Sequence, residues 1–183
     1  MRAQAEFPTQ EDVWGTLLPR FSAALEAERA TIWQLSGLCK EYGPTNEHFT
    51  GEIEAKQMTD ELAGILACAI ALDTEARRGA AGDDKRAGRP RDFITSNLAP
   101  QLLSFFLCIQ SSGGRHSVAT GETSQTEAGP LFDFFRAVVQ PINEYLLENG
   151  RRPLSPGRMA RFALSERRRE ARLIDRKLEK SAA

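Results

Sequence analysis

Apolar side chains recur at alternating spacings of four and three along Trp14, Leu18, Phe21, Leu25, Glu28, Ile32, Leu35 and Cys39, broken in character only by Glu28. That spacing keeps one stripe of an α-helix turned toward a neighbour, so the segment predicts a helix-packing seam. A helical period returns in Ile94, Leu98, Leu102, Phe105, Phe106 and Ile109, and again in Leu131, Phe134, Phe135, Val138, Ile142, Tyr145 and Leu146. β-branched residues are sparse, and no run alternates apolar with polar residues as a half-buried strand would. The fold class predicted is all-α: a single-domain bundle of five or six helices with a long polar loop and a basic C-terminal helix. A length of 183 residues suits one domain with one core.

Local chemistry punctuates these stripes. Thr9, three residues before Asp12, predicts a capping box and a helix start. Pro19 predicts either a kink near Leu18 or a second helix with the proline in its first turn. Gly43 to Asn46 is turn chemistry, and the acidic triplet Thr59-Asp60-Glu61 predicts the start of a second strong helix ending near Arg78. The small residues Ala63, Gly64, Ala67, Ala69 and Ala71 within it favour close approach of neighbours and predict the centre of the bundle. Pro100 is expected near the start of the next helix, Gly129-Pro130 opens another with a kink at Pro141, and Asn149-Gly150 ends it. Ser155-Pro156 caps a last helix that runs to about Lys180. The chain thus divides into an acidic helical half (9–78), an exposed linker (79–91), a second helical half (92–150) carrying a polar loop at 111–128, and a basic C-terminal helix (151–183).

Several function classes receive no support from the residues. The N-terminal stretch to Trp14 has no apolar core and contains Glu6, Glu11 and Asp12, so it reads as no export or transit signal, and a cytoplasmic protein is expected. The longest apolar run, Leu62 to Leu72, falls short of the roughly 18–20 residues that span a bilayer, which predicts a buried helix and no membrane partner. Cys39, Cys68 and Cys108 lie far apart beside apolar residues and read as buried core fillers. With two histidines in the chain, neither a zinc site nor any other metal or cofactor is predicted; His48 and Glu52, four apart, are two ligands and not a site.

Charge is distributed unevenly. The net charge is only −1, yet residues 1–75 hold 5 basic and 13 acidic side chains, whereas residues 76–183 hold 19 and 12. Within the last helix Arg158, Arg161, Arg168, Arg169, Arg172 and Arg176 fall within about one third of a helical wheel. Arginine's planar fork of donors suits phosphate oxygens, so this face can follow a nucleic-acid backbone without reading bases. Arg86, Arg89 and Arg91 would extend it. Met159, Phe162, Ala163, Leu173 and Ile174 lie opposite, interrupted by Glu166 and Glu170, so the helix either docks over the acidic half or projects and dimerises. In the polar loop, Arg115, His116 and Ser117 follow two glycines and form a candidate anion-binding turn. The loop reads as a lid, a binding loop or a small hairpin.

Packing seams, charge asymmetry and polar loops without a catalytic group set predict a non-catalytic helical interaction or regulatory protein with a macromolecular partner, most simply a protein. The alternative is a nucleic-acid-binding protein using the C-terminal arginine face. An enzyme assembled from the 111–128 loop and distant carboxylates ranks third. Self-association and an intramolecular bundle both suit the seam from Trp14 to Cys39.

Overall fold

The computed structural model describes residues 9–35, 46–82, 92–112 and 129–181. These form five helices and, among the described residues, no strand. Helix α1 covers residues 10–35, α2 Asn46–Gly82, α3 Phe93–Ser112, α4 Pro130–Glu148 and α5 Pro156–Ser181. The predicted all-α bundle is thereby observed.

The start of α1 follows the local chemistry. Thr9 Oγ1 donates to Asp12 Oδ2 at 2.6 Å, the Thr9 N–H donates to the same oxygen at 2.9 Å, and the Asp12 N–H donates back to Thr9 Oγ1 at 3.2 Å. This reciprocal box satisfies orphan donors of the first turn. The Thr9 hydroxyl first, and its N–H second, hold the Asp12 carboxyl below the usual carboxylate range.

Pro19 stands in the first turn of the α-helical stretch Leu18–Leu35, one of the two arrangements its position predicts, and that stretch is continuous with the turns before it. Immediately ahead of it Val13–Leu17 winds as a π-helix, and the Leu18 N–H donates to the Val13 carbonyl five residues back. The wider turn lies just ahead of a proline that has no N–H and would crowd the carbonyl four residues before it. One extra residue in the turn rotates the preceding residues by about 100°. Core contact therefore passes from Trp14 to Val13: Val13 is buried and Trp14 is 53% exposed. Downstream the seam holds at Leu18, Phe21, Leu25 and Ile32, all buried.

Helix α2 begins earlier than the acidic triplet suggests. Thr59 is buried inside it, and its hydroxyl donates to Glu26 Oε1 of α1 at 3.2 Å, so the residue joins two helices and caps neither. The helix also continues through Gly79 to Gly82, inside the segment expected as linker. Leu62, Leu66, Ala69 and Ile70 face the core, but Cys68, Ala71 and Leu72 face outward, so the apolar run is buried on one side only.

The central helix is α3, not α2. It packs against all four of the others, and Leu98, Ala99, Leu102, Leu103, Phe105 and Phe106 bury two adjacent faces of it. A second local cap starts it: the Thr95 N–H donates to Asp92 Oδ1 at 3.0 Å and the Thr95 hydroxyl to Asp92 Oδ2 at 2.7 Å. Pro100 consequently lies inside the helix rather than at its start. Phe134 of α4 packs against α3 in the core, with ring centroids 6.1 Å from Phe105, 5.3 Å from Phe106 and, edge-on, 5.8 Å from Phe135 of its own helix. Each such ring contributes roughly 1.5–3 kcal/mol on burial.

The cysteines differ from the expected core fillers. Cys68 is exposed and Cys108 half-buried; Cys68 shares the outward face of α2 with Ala71 and Leu72, while Leu62, Leu66, Ala69 and Ile70 form the core stripe. Cys39 lies outside the described residues, as do residues 113–128 of the polar loop and 83–91 of the linker; α3 itself runs on to Ser112.

Candidate functional site

The basic helix α5 is held at its base by a chain of local and tertiary bonds. Gly150 adopts φ 66° beyond the end of α4, the Gly150 N–H donates to the Leu147 carbonyl at 3.0 Å and the Arg151 N–H to that of Leu146 at 2.7 Å. This pattern is a Schellman turn, and it reverses the chain toward the body. Arg151 then plunges inward: its Nη2 lies 3.3 Å from Asp73 Oδ2 of α2 and donates to Thr74 Oγ1 at 3.4 Å. Burial pushes the Arg151 guanidinium below its ordinary range, while Asp73 acts in the opposite direction. Burial likewise raises the Tyr145 phenol, and Tyr145 Oη and Arg151 Nη1 are buried without a hydrogen-bond partner among the described residues.

Asn143 of α4 supplies the next tie. Its Nδ2 donates to the Leu154 carbonyl at 3.0 Å and its Oδ1 accepts the Leu154 N–H at 2.7 Å, so one side-chain amide satisfies a connecting residue as a strand partner would. Ser155 Oγ then accepts the Arg158 N–H at 3.3 Å, and Pro156 occupies the first turn, as its sequence position predicts.

From this base Gly157, Met159, Ala160, Ala163 and Leu164 are buried against α3 and α4. Beyond them, among the described residues, no other helix buries α5. Every residue from Arg167 to Leu178 is exposed, including Leu173 at 47%, Ile174 at 57% and Leu178 at 64%. Twelve residues at 1.5 Å each give a projection of about 18 Å. Of the two arrangements expected for this helix, projection from the described body is the one these exposures match; among the described residues none of the acidic half covers this end.

The six arginines of the predicted face are all exposed, but they divide by position. Arg158 and Arg161 stand on the seated base, and Arg168, Arg169, Arg172 and Arg176 on the projecting end. The latter four border a shallow groove together with Ser165 and Leu173. Arg169 also pairs locally with Glu166 at 3.7 Å. Arg115, His116 and Ser117 lie outside the described residues, as do Arg86, Arg89 and Arg91.

A second concavity, of about 560 Å³, separates the start of α1 from α2 and is lined by Val13, Trp14, Cys68, Ile70, Ala71 and Thr74, among others. Sequence reasoning missed it because the π-turn that swings Trp14 out of the core has no sequence signal stronger than Pro19. Among the described residues no three His, Cys, Asp or Glu side chains gather as metal ligands, and no helix is long and apolar enough to cross a membrane.

No protein-family model, curated protein or solved structure matches this chain.

Proposed function

We propose that this protein is a non-catalytic helical interaction protein that engages an anionic macromolecular partner through the projecting end of α5. One observation carries the reading: a helix anchored by a buried ion pair and two caps extends from Arg167 to Leu178 with every residue exposed, four arginines lining one side. Retaining three exposed aliphatic side chains and a charged stripe on an exposed helix end costs solubility and contributes little to folding, as a surface held for a partner would. The partner favoured is a protein with an acidic face, since Leu173 adds apolar contact beside the arginines.

Nucleic acid is the second reading, supported by the single exposed stripe on which Arg168, Arg169, Arg172 and Arg176 lie. Lysate capture by the intact protein and by an Arg169, Arg172, Arg176→Glu variant, with and without nuclease, tests both. A complex that survives nuclease and is lost in the variant supports the protein partner. Fluorescence anisotropy on duplex and single-stranded oligonucleotides supports nucleic acid if binding falls steeply with salt and vanishes in the variant. Captured species and oligonucleotide affinity that are both unchanged by the triple substitution overturn the role of this face.

A further inference from the structure

The exposed aliphatic residues of α5 belong to a seam that begins in the core. Gly157, Ala160, Leu164, Arg167, Ala171, Ile174 and Leu178 follow spacings of three and four without interruption. The first three are buried against the body; the last four, on the same stripe, are exposed. A three-four repeat is the pattern by which one helix packs along another, so the projecting end carries a packing surface without a helix to occupy it among the described residues.

The charges beside this seam specify an occupant. Glu170 and Lys177 border it on one side, Arg168 and Asp175 on the other. When two such helices pair antiparallel with Ala171 of one opposite Ile174 of the other, equivalent flanks meet. Glu170 then faces Lys177 of the second copy and Arg168 faces its Asp175, each pair occurring twice about the two-fold axis. A parallel pair instead sets Glu170 against Asp175 of the other copy. The antiparallel arrangement also places the two bodies at opposite ends of the shared segment, and Arg167 packs its stem beside Leu178 with its head toward water. We infer that the exposed seam of α5 is a self-association surface, and that two copies of this chain pair through residues 167–178 as an antiparallel two-helix contact. The exposed seam is short and only Ile174 and Leu178 offer large apolar side chains, so the dimer is weak and reversible. Arg169, Arg172 and Arg176 remain on the outside of the pair.

Sedimentation equilibrium of the full chain under reducing conditions, over a concentration series, tests the inference. The intact protein is expected to shift from monomer to dimer mass as concentration rises, and Ile174→Glu to remain monomeric. Glu170→Lys and Lys177→Glu each turn two attractive pairs repulsive, and each is expected to weaken association about tenfold. A one-to-one mixture of those two variants restores complementary pairs and is expected to recover association. All three sites are exposed, and circular dichroism checks that each variant keeps its fold. A monomer at every concentration overturns the inference, as does association that Ile174→Glu leaves intact. Tighter association of Glu170→Lys alone also overturns it, since that result marks a parallel pair.

Discussion

Asp73 of α2 and Arg151, which follows α4, meet at 3.3 Å with side chains only 7% and 9% exposed, and Arg77 Nε joins the same Asp73 oxygen at 2.8 Å. The pair lies 78 residues apart in sequence and ties the longest helix to the segment from which α5 departs. Removing one member of such a pair strands a buried charge, whereas the intact pair adds little net stability over an apolar replacement. Asp73→Ala is accordingly expected to lower unfolding free energy by about 3 kcal/mol in urea titration. The double variant Asp73→Leu with Arg151→Met is expected to recover most of that loss. Equal losses in both would show that the stranded Arg151 charge is not the source of the loss.

Asn143 holds the connection to α5 by two bonds to Leu154. Asn143→Ala leaves a part-buried N–H and carbonyl without their partner, and a loss of about 2 kcal/mol is expected. Amide hydrogen exchange at Leu154 and along the first turn of α5 should accelerate in this variant more than exchange in α1.

Glu28 faces α4, and burial, with repulsion from Asp133 second, raises its carboxyl above the ordinary value of 4.5. A carboxyl that ionises less readily when folded disfavours the folded state once charged. The penalty is absent below the unfolded value and complete above the raised folded value. Glu28→Gln should therefore stabilise the protein at pH 7 and lose that advantage as pH falls below 4.5. Thermal melts of both proteins across pH 3–7 check the sign; a gain that does not depend on pH would assign the effect to packing.

Gly64 lies inside α2, and apart from its chain neighbours and the helix's own backbone no atom stands within 4 Å of where a Cβ would be built. Gly64→Ala should raise stability by about 0.7 kcal/mol through reduced unfolded-state entropy and better helix propensity. Equilibrium denaturation reads this directly, and a loss would mean that the neighbouring groove closes on this position in solution.

Helix ends were legible where their chemistry is local. Thr9 with Asp12, Ser155 with Pro156, and Asn149 with Gly150 act through bonds that span a few residues, so the sequence contains both partners side by side. Thr59 misled for the converse reason. Its acidic neighbours resemble a helix start, yet its hydroxyl bonds Glu26, 33 positions away, in the middle of a longer helix. The arginine face was readable because helical period alone orders it, but the wheel does not reveal where α5 loses the support of the body.

The helical class, the caps at Thr9, Asn149-Gly150 and Ser155, most of the core stripe in each helix and the single-sided run of arginines follow from the residue order alone, since all of these depend on period and short-range bonding. Packing between helices sets the rest: α3 and not α2 lies at the centre, a π-turn trades Trp14 for Val13 in the core, and α5 is exposed from Arg167 to Leu178. Those outcomes depend on which surfaces meet across the chain. An apolar stripe states that a partner is wanted, and the lengths and positions of the other helices decide whether the same molecule provides one.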